Sequence, residues 1–140
     1  MSFKKLAIII LIPLLLLINA CGSVVNSTMI SSAGLYLDPE GLQPTEKFDA
    51  RAIFYCKVTL EGSGPDTTLQ ASWVAVETNR AEPNTVIKIE EIKPSDSTVL
   101  FKLQNESHFW PTGVYELYLY LDGNLDRVIQ FEVAHDYSAE

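Results

Sequence analysis

The chain has 140 residues, 47% of them hydrophobic, and a formal net charge of −8. That length allows one domain of ordinary size and excludes a second. The acidic balance repels phosphate backbones and anionic lipid headgroups alike, which excludes a nucleic-acid partner.

The first 20 residues read as an export signal. Lys4 and Lys5 precede an apolar run over residues 6–18. That run is shorter than the roughly 20 residues a membrane-spanning helix needs and matches the apolar stretch of a secretory signal. Its removal takes both lysines away and leaves a charge of −10. Small polar residues follow, including Ser23, Asn26, Ser27, Thr28, Ser31 and Ser32. This is tether composition, with a reach on the order of 20 Å. Val24, Val25, Met29 and Ile30 are less linker-like and keep an extra edge strand open as the alternative.

Seven short strands are predicted after the tether, over residues 34–37, 51–60, 68–79, 85–92, 98–104, 114–121 and 125–134. The breaks carry turn residues: Asp38-Pro39-Glu40-Gly41, Gly62-Ser63-Gly64-Pro65-Asp66, Glu82-Pro83-Asn84, Lys93-Pro94-Ser95-Asp96 and Asp122-Gly123-Asn124. Strands at this spacing predict an all-β fold, a single antiparallel β-sandwich. No segment keeps a helical period long enough to compete.

Period-two alternation assigns the faces. Ala52, Phe54, Cys56, Val58 and Leu60 share the inner face of the second strand, and Leu69, Ala71, Trp73 and Ala75 that of the third. Val99, Phe101 and Leu103 do so in the fifth, and Tyr115, Leu117, Leu119 and Leu121 in the sixth. Leu125, Ile129, Phe131 and Val133 are expected inside in the last strand. Val74, Val76, Tyr118, Tyr120, Val128 and Gln130 then face outward. On neighbouring strands they form a candidate partner surface, since Tyr joins a large apolar ring to a polar tip.

Two resemblances accompany this reading. Ile18-Asn19-Ala20-Cys21 resembles the lipobox of bacterial lipoproteins. The resemblance implies a diacylglyceryl group on the Cys21 sulfur, cleavage before Cys21 and acylation, by palmitate among others, of the new N-terminus. It also implies a signal peptide over residues 1–20, a lipidated Cys21 with tether over 21–33, and a sandwich over 34–140. The acyl chains would then hold the protein outside the cytoplasm, on the cell membrane or outer membrane. Trp73 and the run Gly113-Val114-Tyr115-Glu116-Leu117 resemble the immunoglobulin-like fold, in which a core Trp and a tyrosine corner are structural hallmarks. Leu117 stands where the second disulfide Cys would be. The stretch over residues 48–133, with its Trp110-Pro111-Thr112-Gly113-Val114-Tyr115 turn, is similar to the sandwich domains of uncharacterised bacterial lipoproteins. These motifs imply fold, not function.

Chemistry-bearing constellations are absent from the sequence. Cys21 and Cys56 are the two cysteines, so with Cys21 lipidated no intrachain disulfide forms, and Cys56 is expected as an inert buried thiol. His108 and His135 are the two histidines, and neither sits in a ligand-pair or catalytic motif. Asp122-Gly123-Asn124-Leu125-Asp126 lacks the continuation of a calcium loop and reads as a hairpin turn. Glu90 and Glu91 are adjacent on a strand and point to opposite faces. The expectation is a non-catalytic, lipid-anchored envelope protein without cofactor or metal, acting as a structural or protein-binding module with an envelope protein as partner. The alternative is a carbohydrate- or small-ligand-binding module.

Overall fold

A computed structural model of the protein describes residues 27–62, 66–106 and 108–135. The expected signal peptide, Cys21 and the first half of the expected tether lie outside them. The strands are β1 (Met29–Tyr36), β2 (Lys47–Asp49), β3 (Phe54–Glu61), β4 (Leu69–Thr78), β5 (Thr85–Ile92), β6 (Thr98–Leu103), β7 (Gly113–Leu121) and β8 (Asn124–Ala134). They form a three-stranded sheet, β1-β3-β6, and a five-stranded sheet, β2-β8-β7-β4-β5. The inner faces of the two sheets pack together as an all-β sandwich. Placing β3 and β6 opposite β4, β7 and β8 is an immunoglobulin-like arrangement.

The core follows from alternation. β3 reads buried at Phe54, Cys56, Val58 and Leu60, and β7 at Tyr115, Leu117 and Leu119. Phe54 is the hub of an aromatic cluster. Its ring lies 4.6 Å from Phe48, 4.9 Å from Trp110 and 5.2 Å from Phe131. Trp73 is fully buried beside it, and its indole N–H has no acceptor among the described residues.

The Asp122-Gly123 hairpin forms as expected. Both residues have positive φ, 49° and 80°, which matches the twist of the flanking strands. Gly113 opens β7 at φ 144°, and a Cβ there would lie 2.1 Å from the Glu77 carbonyl oxygen. Two residues on, the Tyr115 hydroxyl donates to the Pro111 carbonyl at 2.5 Å, a tyrosine corner.

Four expectations are corrected. β1 begins at Met29, so residues 29–33 belong to the sheet rather than the tether. Ile30 is buried there, and β3 offers a backbone edge that the small Ser31 and Ser32 can follow through a register shift. An eighth strand, β2, was not expected. It is three residues long, too short to alternate, and is anchored by the buried Phe48 in parallel pairing with β8. Trp110 belongs to the core rather than to a turn: its indole N–H donates to the Ala52 carbonyl at 2.9 Å. Leu125 faces outward. The β7–β8 register shifts between Leu119 and Tyr120, so Leu119 meets Arg127 and Tyr120 meets Leu125. Asp126 is the extra residue, and a bulge of one residue reverses the face of what precedes it.

Candidate functional site

The outer face of the five-stranded sheet gathers most of the residues expected to be functional. Register places Ile89, Ser72, Tyr118 and Val128 in one row across β5, β4, β7 and β8. A second row holds Glu91, Gln70, Tyr120 and Leu125, and a third Val86, Val74, Glu116 and Gln130. Large apolar side chains stand open along these rows: Ile89 is 59% exposed, Val86 53%, Leu125 52% and Val128 42%. Tyr118 and Tyr120 are half-buried between them, while Val74 and Ser72 are covered by their neighbours.

The structure thus brings together Val74, Tyr118, Tyr120, Val128 and Gln130. Val76, half-buried, stands outside these paired rows. The β4–β7 register shifts between Ala75 and Glu77, and Val76 is the unpaired residue of that bulge. Trp73, Tyr115 and Gly113 take structural positions beneath the face, the first two in the core and Gly113 against the Glu77 backbone. Val86, Ile89 and Leu125 were missed by sequence reasoning. A register shift between Trp73 and Val74 interrupts the pairing of β5 with β4, and Lys88, Glu90 and Glu91 hide its apolar members.

Electrostatically the face is apolar at its centre and acidic around it. The Tyr118 hydroxyl donates to a Glu116 carboxylate oxygen, and this bond first, with burial second, raises the tyrosine pKa. The cations of this sheet already have partners within the chain: Lys47 with Glu132 at 3.9 Å, Lys88 with Glu90 at 3.3 Å and Arg127 with Asp126 at 2.7 Å. Beside the face, an open cleft of about 730 Å³ runs between Thr45–Lys47 and Val128–Glu132.

Elsewhere the chemistry is sparse. Among the described residues no group of three His, Cys, Asp or Glu side chains is placed to hold a metal. His108 and His135 are exposed. Burial pushes the Cys56 thiol up to about 12.

No family model matches the chain, and no curated protein does. Among solved structures, a mutant β-glucosidase from Listeria innocua in complex with laminaribiose is similar at 15% identity and TM-score 0.48, over 77% of this chain. The glucose complex of that enzyme is similar at 15% identity and TM-score 0.48, over 79%. Its isofagomine complex gives 14% and 0.47, over 78%. The chain spans 16% of the length of each.

Proposed function

We propose that this protein is a non-catalytic binding module of the bacterial cell envelope, held outside the cytoplasm by acyl chains on Cys21, that docks an envelope protein on the outer face of its five-stranded sheet. The observation that carries the docking reading is the set of open apolar side chains, Val86, Ile89, Leu125 and Val128, aligned around Tyr118 and Tyr120. Contiguous apolar patches of this kind mark contact sites, whereas singly scattered ones do not. The anchor reading is supported by Lys4, Lys5, the apolar run and Ile18-Asn19-Ala20-Cys21. Several acyl chains anchor stably where one would not.

The test substitutes the face and leaves the core alone. Ile89→Lys with Val128→Lys is expected to keep a melting temperature close to the parent's and to lose the protein that co-purifies from detergent-solubilised native membranes. Retention of that protein would remove the face as the docking surface. Glycan-array binding that disappears with Tyr118→Ala and Tyr120→Ala would assign the face to carbohydrate instead. For the anchor, mass spectrometry should find an acylated Cys21 at the mature N-terminus, and a Cys21→Ser form that stays membrane-bound would overturn it.

A further inference from the structure

The four sheet edges are not equally closed. β5 carries Lys88, Glu90 and Glu91 and is followed by Pro94, while β6 is short and carries Lys102. β1 has its register shift, and residues 43–45 lie along part of it: Leu37 donates to the Gln43 carbonyl and Thr45 to the Leu35 carbonyl, both at 3.0 Å. Charges, shortness, bulges and covering loops are devices that block the addition of another strand. β8 is different. β2 covers it only at Glu132–Ala134. Arg127-Val128-Ile129-Gln130-Phe131 contains no Pro or Lys and favours extended backbone.

Backbone direction shows what this stretch offers. The Glu132 N–H donates to the Glu46 carbonyl at 2.9 Å, so the polar backbone groups of Glu132 point away from β7. The β7–β8 register is unbroken from Glu132 back to Val128. Antiparallel backbone alternates, so Gln130 and Val128 turn their N–H and C=O the same way, into the 730 Å³ cleft. The cleft exists because the chain peels off β8 before Glu46, where Pro44 bridges to Tyr36 of β1.

We propose that β8 between Arg127 and Phe131 is a strand-addition site for an extended segment of a partner protein, apolar at alternate positions and basic overall. This rests on reading the chain as a protein-binding module, and it names how the partner is held. An added strand would set alternate side chains beside Val128 on the outer face. The others would point toward Ile129, Ala33 and Leu35, which line a smaller adjoining cleft. Glu46, Glu132 and Lys47 line the main cleft, Lys47 pairing with Glu132, so the cleft keeps a net negative charge on a protein of net charge −8, and a basic segment is complementary. The same charge opposes a second copy of this chain.

The experiment uses the full-length protein and synthetic nonapeptides with Val, Ile or Tyr at alternate positions, in one series spaced by Lys and Arg and another by Asp and Glu. The basic series is expected to bind about tenfold or more tightly than the acidic one at low salt, and to slow amide exchange at Val128 and Gln130 by about tenfold or more. Gln130→Pro deletes an outward N–H that takes no bond among the described residues, and should weaken binding about tenfold. Val128→Lys leaves the backbone intact, repels a basic strand and should do the same. Absence of binding by both series overturns the proposal, as does protection of β5 amides instead. Self-association of the protein that protects Val128 overturns the occupant. Peptide binding lost with Ile89→Lys but kept with Gln130→Pro overturns strand addition while leaving the docking face standing.

Discussion

Cys56 sits between Phe54 and Val58 on the inner face of β3, and its thiol is fully buried. Removing a thiolate from water costs more than the Gly34 backbone hydrogen bond and the Arg127 charge return, so its pKa rises from 9.0 to about 12. A thiol reagent at pH 8 should label Cys56 only after denaturant is added; rapid labelling of the folded protein would contradict its placement. Tyr115 behaves alike, its pKa raised by burial from 10.0 to about 12. Both groups stay protonated in the fold at a pH where the unfolded chain ionises. Their contribution to stability is therefore full below about pH 9 and is lost as pH rises toward 12. Urea midpoints measured from pH 8 to 12 should fall across that window. The Tyr115 bond to Pro111 is one hydrogen bond, so Tyr115→Phe should cost about 1 kcal/mol. Trp73→Ala empties core volume and should cost about 3–5 kcal/mol. Trp73→Phe should cost less than Trp73→Ala, because it keeps a ring and removes an indole donor that has no acceptor among the described residues.

At the level of the strand, bulges decide what alternation alone cannot. Leu125 lies across from Tyr120 and faces solvent because Asp126 inserts one residue into β8. Leu125→Ala is therefore expected to change stability by about 0.5 kcal/mol or less, whereas a core leucine such as Leu117 should cost about 2–5 kcal/mol. Equal losses in denaturant titrations would return Leu125 to the interior. The start of β7 is fixed differently. A Cβ on Gly113 would meet the Glu77 carbonyl at 2.1 Å in a backbone conformation that side chains rarely adopt. Gly113→Ala should destabilise by about 3 kcal/mol or more, read as a shifted midpoint at unchanged slope.

Across the whole molecule, the sandwich was legible because β3 and β6 alternate between burial and exposure along their whole length and β7 does so through its middle, and because the turns between the strands are chemically marked. Phe54 to Leu60 and Tyr115 to Leu119 reveal their inner face from sequence alone. What escaped was decided by long-range contact. Phe48 is a lone aromatic in a polar stretch until Phe54 and Phe131 close on it. Trp110 looks like part of a turn until the Ala52 carbonyl takes its N–H. The candidate face was half visible: Tyr118, Tyr120 and Val128 followed from alternation, but Val86, Ile89 and Leu125 depended on register shifts that no local pattern marks. Hairpin chemistry, by contrast, is local, and Asp122-Gly123 was readable at once.

β1 runs antiparallel to β3 over pairs from Met29–Glu61 to Tyr36–Tyr55, and the Arg127 guanidinium ties the Ile30 carbonyl to β8 at 2.9 Å. The chain enters β1 from its Met29 end, so tension applied there along the strand axis pulls β1 lengthwise past its neighbour. The ladder is then loaded in shear. Its bonds must slip together instead of opening one after another like a zip, and the same seam would yield at far lower force if it were peeled from the side.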